Sequence, residues 1–412
     1  MADPSPPNST GNAGECHVQL DHADPAYNRD AHDLWDALRP RCPLVHSPAY
    51  GGMWLPLTYD LVRTIANDTE HFSNHGAVVG KVAASEPPPL GSAPPISSDP
   101  PFHREAKRLL LPAFAPRRME AKEAEVREVC RECLEALGPR NPGTSVDGAV
   151  EYAQHIPVRV MARMLGVPRE DEDLLRRFVH ELLEGVGRPP EEQRRTRDEV
   201  DAYLDALIQR HREHPTDTLV TELMEARLSG EALEHRHLRG MILLLLMAGI
   251  DTTWSAIGAG IWHLATHPDD RARLVREPEL WPTALEELLR AYAPVTMGRV
   301  VTQDVELAGH TLRQGEWVLL AFPAANRDPE VFPHAHRVIL DRVANRHAAF
   351  GLGIHRCIGS NLARLELRIA LEEFLGRFPH FHLDDPDAVR WSSGQIRGPR
   401  VLPLRIGEPP AG

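Results

Sequence analysis

A glycine-rich turn that carries one cysteine and leads into a helix is the strongest structural requirement in this 412-residue chain. The turn runs from Phe350 to Gly359 and holds Cys357, and a helical pattern follows from Asn361 to Arg377. A helix N-terminus and nearby cations favour a thiolate over a thiol. The glycines at 351, 353 and 359 permit positive φ angles and let the backbone approach a flat ligand closely. The pattern therefore indicates either a reactive thiolate facing a ligand or a buried structural cysteine beside a capping turn.

The hydrophobic pattern of the remaining chain is mainly helical. Segments of helical periodicity succeed one another from Phe102 to Arg290, and period-two alternation marks strands between Thr302 and Leu320. A hairpin is predicted over Leu44–Leu57. Because helices dominate and the strands are segregated from them, we predict an α-rich α+β fold with a minor β-sheet region. We expect a disordered tail over residues 1–27 and a single domain over residues 28–412.

Composition argues against several classes of protein. Lys and Arg number 46 and Asp and Glu 59, so a net charge of −13 lacks the basic footprint of a nucleic-acid-binding protein. Five cysteines are an odd and sparse set, which argues against a disulfide framework and for a reducing compartment. The N-terminus has no signal-peptide pattern, and the apolar run Met241–Ile250 is too short for the roughly 20 residues of a membrane span. We therefore expect a cytoplasmic protein that binds neither nucleic acid nor membrane.

Two further segments have ordinary structural explanations. Cys130 and Cys133 have the spacing of a metal or redox motif, but they lie in a helical run without a second cysteine pair. We interpret them as incidental helix residues. The proline-rich residues 86–101 cannot form a regular helix or a central strand, so they are either a linker or a surface loop over a ligand cavity.

The long helix in the middle of the chain contains a polar interruption, Ala-Gly-Ile-Asp-Thr-Thr over residues 248–253. The small residues Ala248 and Gly249 let a bulky ligand lie against the helix backbone. An acid followed by an alcohol, Asp251 and Thr252, can handle protons and position water. The alternative is an ordinary polar interruption in which Thr252 bonds back to a carbonyl. Helical spacing places on one face Leu244, Ala248, Asp251, Thr252 and Ser255.

These patterns together resemble the cytochrome P450 family. The spacing Phe-x-x-Gly-x-x-x-Cys-x-Gly over residues 350–359 resembles the haem-ligand loop of the family, and residues 248–253 resemble its oxygen-activating motif. The pair Glu287-x-x-Arg290 stands before the strands, as it does in the family. The resemblance extends from Ala31 to Leu404. It implies the single-domain cytochrome P450 fold of a soluble, bacterial-type protein.

The resemblance also implies a structural cluster of one glutamate and two arginines. Glu287 and Arg290 supply its first two members, and the segment from Pro333 to Arg337 stands where a downstream arginine completes it. Val338 departs from the usual phenylalanine, which alters the packing but keeps the guanidinium. We therefore expect Glu287, Arg290 and Arg337 to support the cysteine loop.

Haem b is the cofactor that the resemblance implies, with Cys357 as the axial ligand of the iron. Asp251 and Thr252 would then deliver the protons needed to cleave O2, so that one oxygen atom enters an organic substrate and the other leaves as water. Lys107 stands where the family often has arginine, and it supplies charge without a bidentate fork. The residues implied around the haem are Ala248, Gly249, Phe350, Gly351 and Gly359, with His103, Lys107, Arg299 and His355 as partners of the two propionates.

The resemblance implies a substrate pocket lined by residues 73–79, 244–248, 295–297 and 393–396. These segments are mainly apolar and contain no arginine to bind a carboxylate. We therefore expect a neutral, largely hydrophobic substrate, such as a terpenoid, an aromatic or a polyketide-like compound. The expected lining residues are Leu244, Met247, Val295, Thr296, Met297, Gln395 and Ile396, of which Thr296 and Gln395 offer orienting polarity.

No flavin, nicotinamide or iron–sulfur motif is present in the chain, so a separate ferredoxin is expected to supply the electrons. It would dock on the cysteine side, at Arg356, Arg364 and Arg368. We expect the protein to be a monomer. Two alternatives are a haem-thiolate protein running peroxide-driven or coupling chemistry and a non-catalytic haem-binding sensor. The acid–alcohol pair at positions 251 and 252 argues against both.

Overall fold

Helices account for most of the regular structure in the computed structural model, which describes residues 16–79, 93–139, 141–184 and 188–407. Their ends follow ordinary capping chemistry. Thr58 accepts a hydrogen bond from Leu61 N at the start of one helix, and Gly166 ends another in the left-handed conformation, with φ of 70°. The helices are α1 Pro25–Leu38, α2 Tyr59–Asn67, α3 Phe102–Leu110, α4 Pro116–Glu120, α5 Glu123–Ala136, α6 His155–Leu165, α7 Glu172–Glu184, α8 Pro190–Glu213, α9 Leu219–Glu225, α10 His235–Thr266, α11 Pro268–Arg276, α12 Trp281–Ala291, α13 Phe322–Ala325 and α14 Ser360–Arg377.

The strands are short and collect into small sheets. They are β1 Leu44–Ser47, β2 Met53–Pro56, β3 Phe72–Ser73, β4 Ser145–Asp147, β5 Arg227–Leu228, β6 Glu231–Ala232, β7 Thr296–Val301, β8 Val305–Leu307, β9 His310–Leu312, β10 Trp317–Ala321, β11 Phe381–Leu383, β12 Arg390–Trp391, β13 Pro399–Val401 and β14 Pro403–Ile406. The largest sheet has the order β1-β2-β10-β7-β3, and a smaller one has the order β11-β14-β4. In the larger sheet β10 pairs parallel to β2 and antiparallel to β7. The predicted α-rich α+β fold is confirmed.

The helix α10 runs through the main apolar core and packs against α6, α7 and α14. The close packing of α10 against α6 and α14 requires glycine at two positions. A Cβ at Gly249 would lie 2.8 Å from the sulfur of Met161 on α6, and one at Gly260 would lie 2.9 Å from Leu371 on α14. By length and composition α10 is apolar enough to cross a membrane, but 72% of its most apolar window is buried inside the protein. That burial is typical of a core helix.

Most predicted elements are confirmed, and two differences have clear causes. The predicted hairpin over residues 44–57 forms as β1 and β2, with Leu44 opposite Pro56. Within the helical pattern predicted from Phe102 to Arg290, residues 116–136 divide into α4 and α5. The strand β7 was not predicted, because Gly298 and Arg299 interrupt its apolar pattern although both are buried. The described part of the proline-rich segment, residues 93–101, contains neither helix nor strand, and residues 80–92 lie outside the described residues.

Two predictions about the N-terminal part of the chain need correction. Residues 16–27, placed in a disordered tail, are part of the fold, because His17 pairs with His46 beside β1 and α1 begins at Pro25. Residues 1–15 lie outside the described residues. The prediction against disulfides is wrong for one pair, since Cys16 and Cys42 are bonded. Cys130 and Cys133 are free, buried helix residues, as interpreted from the sequence.

Candidate functional site

The cysteine loop folds back on itself just before α14. Cys357 N donates to Phe350 O at 2.8 Å, and Gly351 N donates to Ala348 O at 2.8 Å. Gly351 and Gly353 have φ angles of 70° and 69°, as predicted. A Cβ at Gly353 would lie 2.2 Å from the carbonyl oxygen of Ala66 at the end of α2, so this position also requires glycine for space.

Gly359 differs from the prediction, because it is the N-cap of α14 with φ of −79°. Its backbone N–H instead faces the Cys357 sulfur. Burial raises the pKa of the Cys357 thiol, and the Gly359 N–H and the charge of Lys107 partly offset that rise. The Cys357 side chain is nevertheless solvent-accessible, whereas Cys130 and Cys133 are buried. An accessible sulfur with donors and cations around it has the surroundings of a metal-binding thiolate.

A charged clamp holds the loop from the side of α12. Glu286 accepts two hydrogen bonds from Arg364, at 2.6 and 2.8 Å, and lies 3.0 Å from His347 Nε2. The Arg364 guanidinium lies 4.4 Å from the centre of the Phe350 ring. Burial alone would raise the pKa of Glu286, but the Arg364 and His347 contacts outweigh it and lower the pKa to about 2. The sequence did not reveal Glu286, because its neighbour Glu287 occupies the recognised motif position.

Lys107 braces the loop from the side of α3. Its ammonium donates to the carbonyl oxygens of Ile354 and of Arg356, the latter at 2.8 Å. It was predicted to bind a propionate, but two of its three donors are used by backbone of the cysteine loop. The flexible ammonium can reach both carbonyls at once.

Three buried or half-buried nitrogen-bearing side chains, from α3, β7 and the cysteine loop, lie close together, and none of them forms an ion pair among the described residues. The charge of Asp99 only partly offsets the lowering of the pKa of His103 and Arg299 by burial. The rings of His103 and His355 are 4.1 Å apart, and the Nε2 atom of each is buried without a hydrogen-bond partner. Arg299 is 3% exposed, and its Nη1 donates to Gly298 O at 2.8 Å. Burial lowers the pKa of Arg299 to about 10, and burial together with Arg299 and His103 lowers that of His355 to about 2. Such a cluster fits a ligand that carries carboxylates, as haem does.

The helix α10 presents Ala248 and Thr252 on an accessible stripe within an otherwise buried stretch. Thr252 Oγ1 donates to Ala248 O at 2.7 Å, which is the backbone bond weighed in the sequence analysis. Asp251 is 2% exposed and lies 2.8 Å from Arg400 of β13. A Cβ at Gly249 would meet Met161, so the packing of α6 requires glycine there, and the contact of the Gly249 backbone with haem stays a prediction.

Arg400 was not identified from the sequence. Its guanidinium also donates to Ser255 Oγ at 3.0 Å and lies 4.3 Å from the centre of the Trp254 ring. The strand can come this close because Gly398 has no side chain: a Cβ there would lie 2.3 Å from Ser255 Cβ. Asp251 is therefore the anionic partner of a buried arginine rather than a group open to solvent.

The cluster around Glu287 forms, but with a different second arginine. Glu287 Oε2 lies 2.8 Å from Arg290 Nε and 2.9 Å from Arg342 Nε. Arg337 is exposed and contributes only its carbonyl oxygen, which accepts from Arg290 at 2.7 Å. The prediction of Arg337 is therefore corrected to Arg342, because the Arg342 guanidinium reaches Glu287 whereas the Arg337 side chain is exposed.

Three of the four predicted pocket segments meet, and Gln395 joins them. Its side-chain oxygen accepts from Val79 N at 2.6 Å, and its nitrogen donates to Ala77 O at 3.1 Å and Thr296 O at 3.0 Å. Val295 forms an antiparallel bridge with Ile396. The polar groups of Gln395 are thus used within the protein, and Thr296 Oγ1 likewise donates to Gln395 O at 3.3 Å. Of the remaining predicted residues, Val295, Met297 and Ile396 are half-buried, whereas Leu244 and Met247 are buried, with Met247 in the main core.

Fold and site together define a helical protein whose cysteine loop suits a haem thiolate. The family model for cytochrome P450 matches residues 182–390. The mycinamicin IV hydroxylase/epoxidase of Micromonospora griseorubida is 36% identical over 87% of this chain and 90% of its own length. The 6-deoxyerythronolide B hydroxylase of Saccharopolyspora erythraea is 32% identical over 92% of this chain and 97% of its own. The structure of the bacillaene polyketide synthase cytochrome P450 of Bacillus subtilis superposes with a TM-score of 0.86, at 27% identity over 95% of this chain and all of that one.

The chain belongs to the cytochrome P450 family. Members of the family bind haem b and act as haem-thiolate monooxygenases on small molecules, using O2 and electrons from redox partners. The protein is therefore a haem-thiolate monooxygenase, and its haem is haem b.

Proposed function

We propose that Cys357 is the axial ligand of the haem iron and that His103, Arg299 and His355 bind the propionates. The observation that supports this most strongly is the pair of buried, unpartnered imidazole nitrogens, His103 Nε2 and His355 Nε2, beside the buried guanidinium of Arg299. Burying such donors without a partner is costly, and two carboxylates would satisfy them. Lys107 and the Glu286 clamp would then hold the loop rather than the haem.

The residues of α10 supply the proton chemistry of the proposed reaction. When bound, the haem supplies the activation of O2. The Thr252 hydroxyl donates to Ala248 O, which leaves its oxygen lone pairs free to accept a hydrogen bond from water. Asp251, which precedes Thr252 in sequence and is held by Arg400, would pass protons towards Thr252.

We propose a neutral, mainly hydrophobic substrate of the polyketide-like class, which the enzyme hydroxylates or epoxidises. The four lining segments contain neither lysine nor arginine. Arg397, the nearest arginine to them in sequence, donates to Asn28 O at 3.0 Å instead. Relatives named for a polyketide and for a hydroxylase/epoxidase support this class.

A carbon monoxide spectrum tests the ligand assignment. The reduced, carbon monoxide-bound protein should show a Soret band strongly red-shifted from that of histidine-ligated haem, and Cys357→Ser should lose that shift. Cys130→Ser changes a buried cysteine elsewhere and should leave the band unchanged. A histidine-type band in well-folded wild-type protein would contradict the role of Cys357. For the substrate, spectral titration should show tighter binding of neutral polyketide-like ligands than of matched carboxylic acids, and the reverse order would contradict the proposed class.

We propose that a ferredoxin supplies electrons at the cysteine side of the protein, and that the protein works as a cytoplasmic monomer. Of the three arginines expected on this surface, two are already paired with glutamates. Arg364 is bound to Glu286, and Arg368 to Glu123 and Glu372, whereas Arg356 is exposed. Arg356→Glu should therefore slow reduction by ferredoxin and leave ligand binding unchanged, while Arg212→Glu on α8 should alter neither. Equal reduction rates in the wild-type protein and Arg356→Glu would show that the docking surface lies elsewhere.

A further inference from the structure

We propose that the N-terminal segment of residues 16–28, called the strap from here on, positions the wall of the substrate pocket, and that the Cys16–Cys42 disulfide holds the strap in place. The wall is the lining segment of residues 393–396 together with Arg397, which follows it. This inference rests on the proposed function, because it takes that segment as pocket lining.

The near end of the strap is fastened to β1 and to the loop before it. The disulfide joins Cys16 to Cys42, across 26 residues of sequence. Val18 N donates to His46 O at 2.9 Å, and His46 N donates to Cys16 O at 2.9 Å, as in a short added strand. Both cysteines are buried, at 6% and 1% exposure. This end of the strap is therefore held by one covalent bond, the disulfide, and by two backbone hydrogen bonds.

The far end of the strap supplies acceptors to the pocket wall. His22 O accepts from Gly394 N at 3.2 Å, and Asn28 O accepts from Arg397 Nε at 3.0 Å. The Asn28 side chain donates to His22 O at 2.7 Å, which fixes the two acceptors relative to each other. His22 and Asn28 are each 4% exposed. Because both acceptors belong to buried residues and the Arg397 bond is itself part-buried, moving the strap would leave donors of the wall without these partners.

A shift of the wall would reach the rest of the pocket through Gln395. That one side chain bonds to Val79, Ala77 and Thr296, and Arg397 N donates to Pro294 O at 2.7 Å. Three of the four proposed lining segments therefore move with residues 394–397. The strap thus acts on substrate fit without contacting the substrate, and its residues are positioning residues.

Opening the disulfide should loosen this connection. A water-soluble phosphine reduces it: the disulfide takes up two electrons and two protons to give two thiols, and the phosphine becomes its oxide with oxygen from water. The cross-link that restricts the loop between residues 16 and 42 is then lost, and the strap is held by hydrogen bonds alone.

Hydrogen–deuterium exchange on the haem-loaded protein tests the proposal. The phosphine should raise exchange several-fold in residues 393–398 and 75–79 of the wild-type protein, and should change nothing there in the Cys16→Ser/Cys42→Ser variant. Asn28→Ala keeps the disulfide but removes the side-chain bond to His22, so it should raise exchange in the same two segments without reduction. Increased exchange confined to residues 16–24 would overturn the proposal. Five titratable thiols in the denatured, unreduced protein would also overturn it, because the disulfide leaves only three of the five cysteines free.

Ligand binding gives a second measurement. With imidazole and 4-phenylimidazole as probes, reduction should change the dissociation constant of the larger probe several-fold and leave that of imidazole unchanged. Equal responses of the two probes would overturn the proposal. A wild-type protein without the haem-thiolate spectrum would contradict the proposed function instead, and the exchange measurement would still report on the strap.

Discussion

Glu287 has no solvent exposure and depends on two guanidinium groups, those of Arg290 and Arg342. Removing one partner of a buried ion pair leaves uncompensated charge, so Arg342→Leu should lower the free energy of unfolding by about 3 kcal/mol. Arg337→Leu is the matched control, because Arg337 is exposed and contributes only its backbone, and it should change stability by less than about 0.5 kcal/mol. Urea denaturation of the two variants measures the difference. Equal losses would contradict the assignment of Arg342 to the cluster.

The cluster around Glu287 also shows how much of a side-chain contact can be predicted from the sequence. Glu287 and Arg290 are separated by one helical turn, so their contact was predictable. The second arginine lies in an irregular segment, where spacing does not determine which side chain turns inward. The role of Arg400 could not be predicted for a similar reason, because its contact with Asp251 joins positions 149 residues apart in sequence.

The role of the Thr252 hydroxyl can be tested separately from the volume of the side chain. Thr252→Val removes the hydroxyl and nearly keeps the volume, so NADH consumption should continue while product per NADH falls several-fold. Thr252→Ser keeps the hydroxyl and should retain most of the coupling. Parallel assays of NADH, peroxide and product measure the partition. Full coupling in Thr252→Val would show that this hydroxyl does not deliver protons.

At the scale of the elements, α12, α14 and the cysteine loop are joined through Glu286. Glu286→Gln weakens charge-assisted hydrogen bonds to Arg364 and His347, so we expect a loss of about 1–3 kcal/mol and faster loss of haem. Haem transfer to an acceptor protein measures that rate. Glu372→Gln alters a partly exposed ion pair on α14 and should cost at most about 1 kcal/mol, with unchanged haem loss. Equal rates of haem loss in the two variants would contradict the clamp.

The sequence predicts the helix that carries Arg364 and Arg368 but not which partners their side chains contact. Arg364 and Arg368 were expected to offer charge to a partner, and both are paired with glutamates from other helices. Those pairings depend on how α5 and α12 pack beside α14, which periodicity within one helix does not describe.

Across the whole molecule, one buried acid links stability to pH. Glu366 on α14 is 1% exposed, and neither carboxyl oxygen has a hydrogen-bond partner among the described residues. Burial raises its pKa well above the usual value. Above the unfolded-state pKa of about 4.3 the unfolded chain ionises and the folded protein does not, so this group destabilises the fold increasingly as the pH rises towards the folded-state pKa.

Glu366→Gln keeps the shape and removes this ionisation. Its free energy of unfolding relative to the wild-type protein should therefore increase between about pH 5.5 and pH 8, by about 1.4 kcal/mol for each pH unit that lies below the folded-state pKa. Urea denaturation at the two pH values measures it. Glu373→Gln is the control, because ion pairs with Arg127 and Arg131 lower the pKa of Glu373 and its contribution is complete by pH 5.5. A difference that stays constant with pH for Glu366→Gln would contradict a neutral buried acid.

The order of the motifs along the chain was enough to predict the family and the α-rich fold. The disulfide was not predictable, because an odd number of cysteines gives no pairing and Cys16 lies in a stretch without hydrophobic periodicity. It forms because residues 16–18 lie beside β1, a contact that only the folded chain shows.

The bonds from Lys107 to the cysteine loop span 247 and 249 residues, and the one from Val79 to Gln395 spans 316. A chain leaving the ribosome can complete neither until almost all of it has been synthesised. Capture of the cofactor is therefore an event of the finished polypeptide, and a chain that stops before Gln395 would lack the bonds that close the pocket wall.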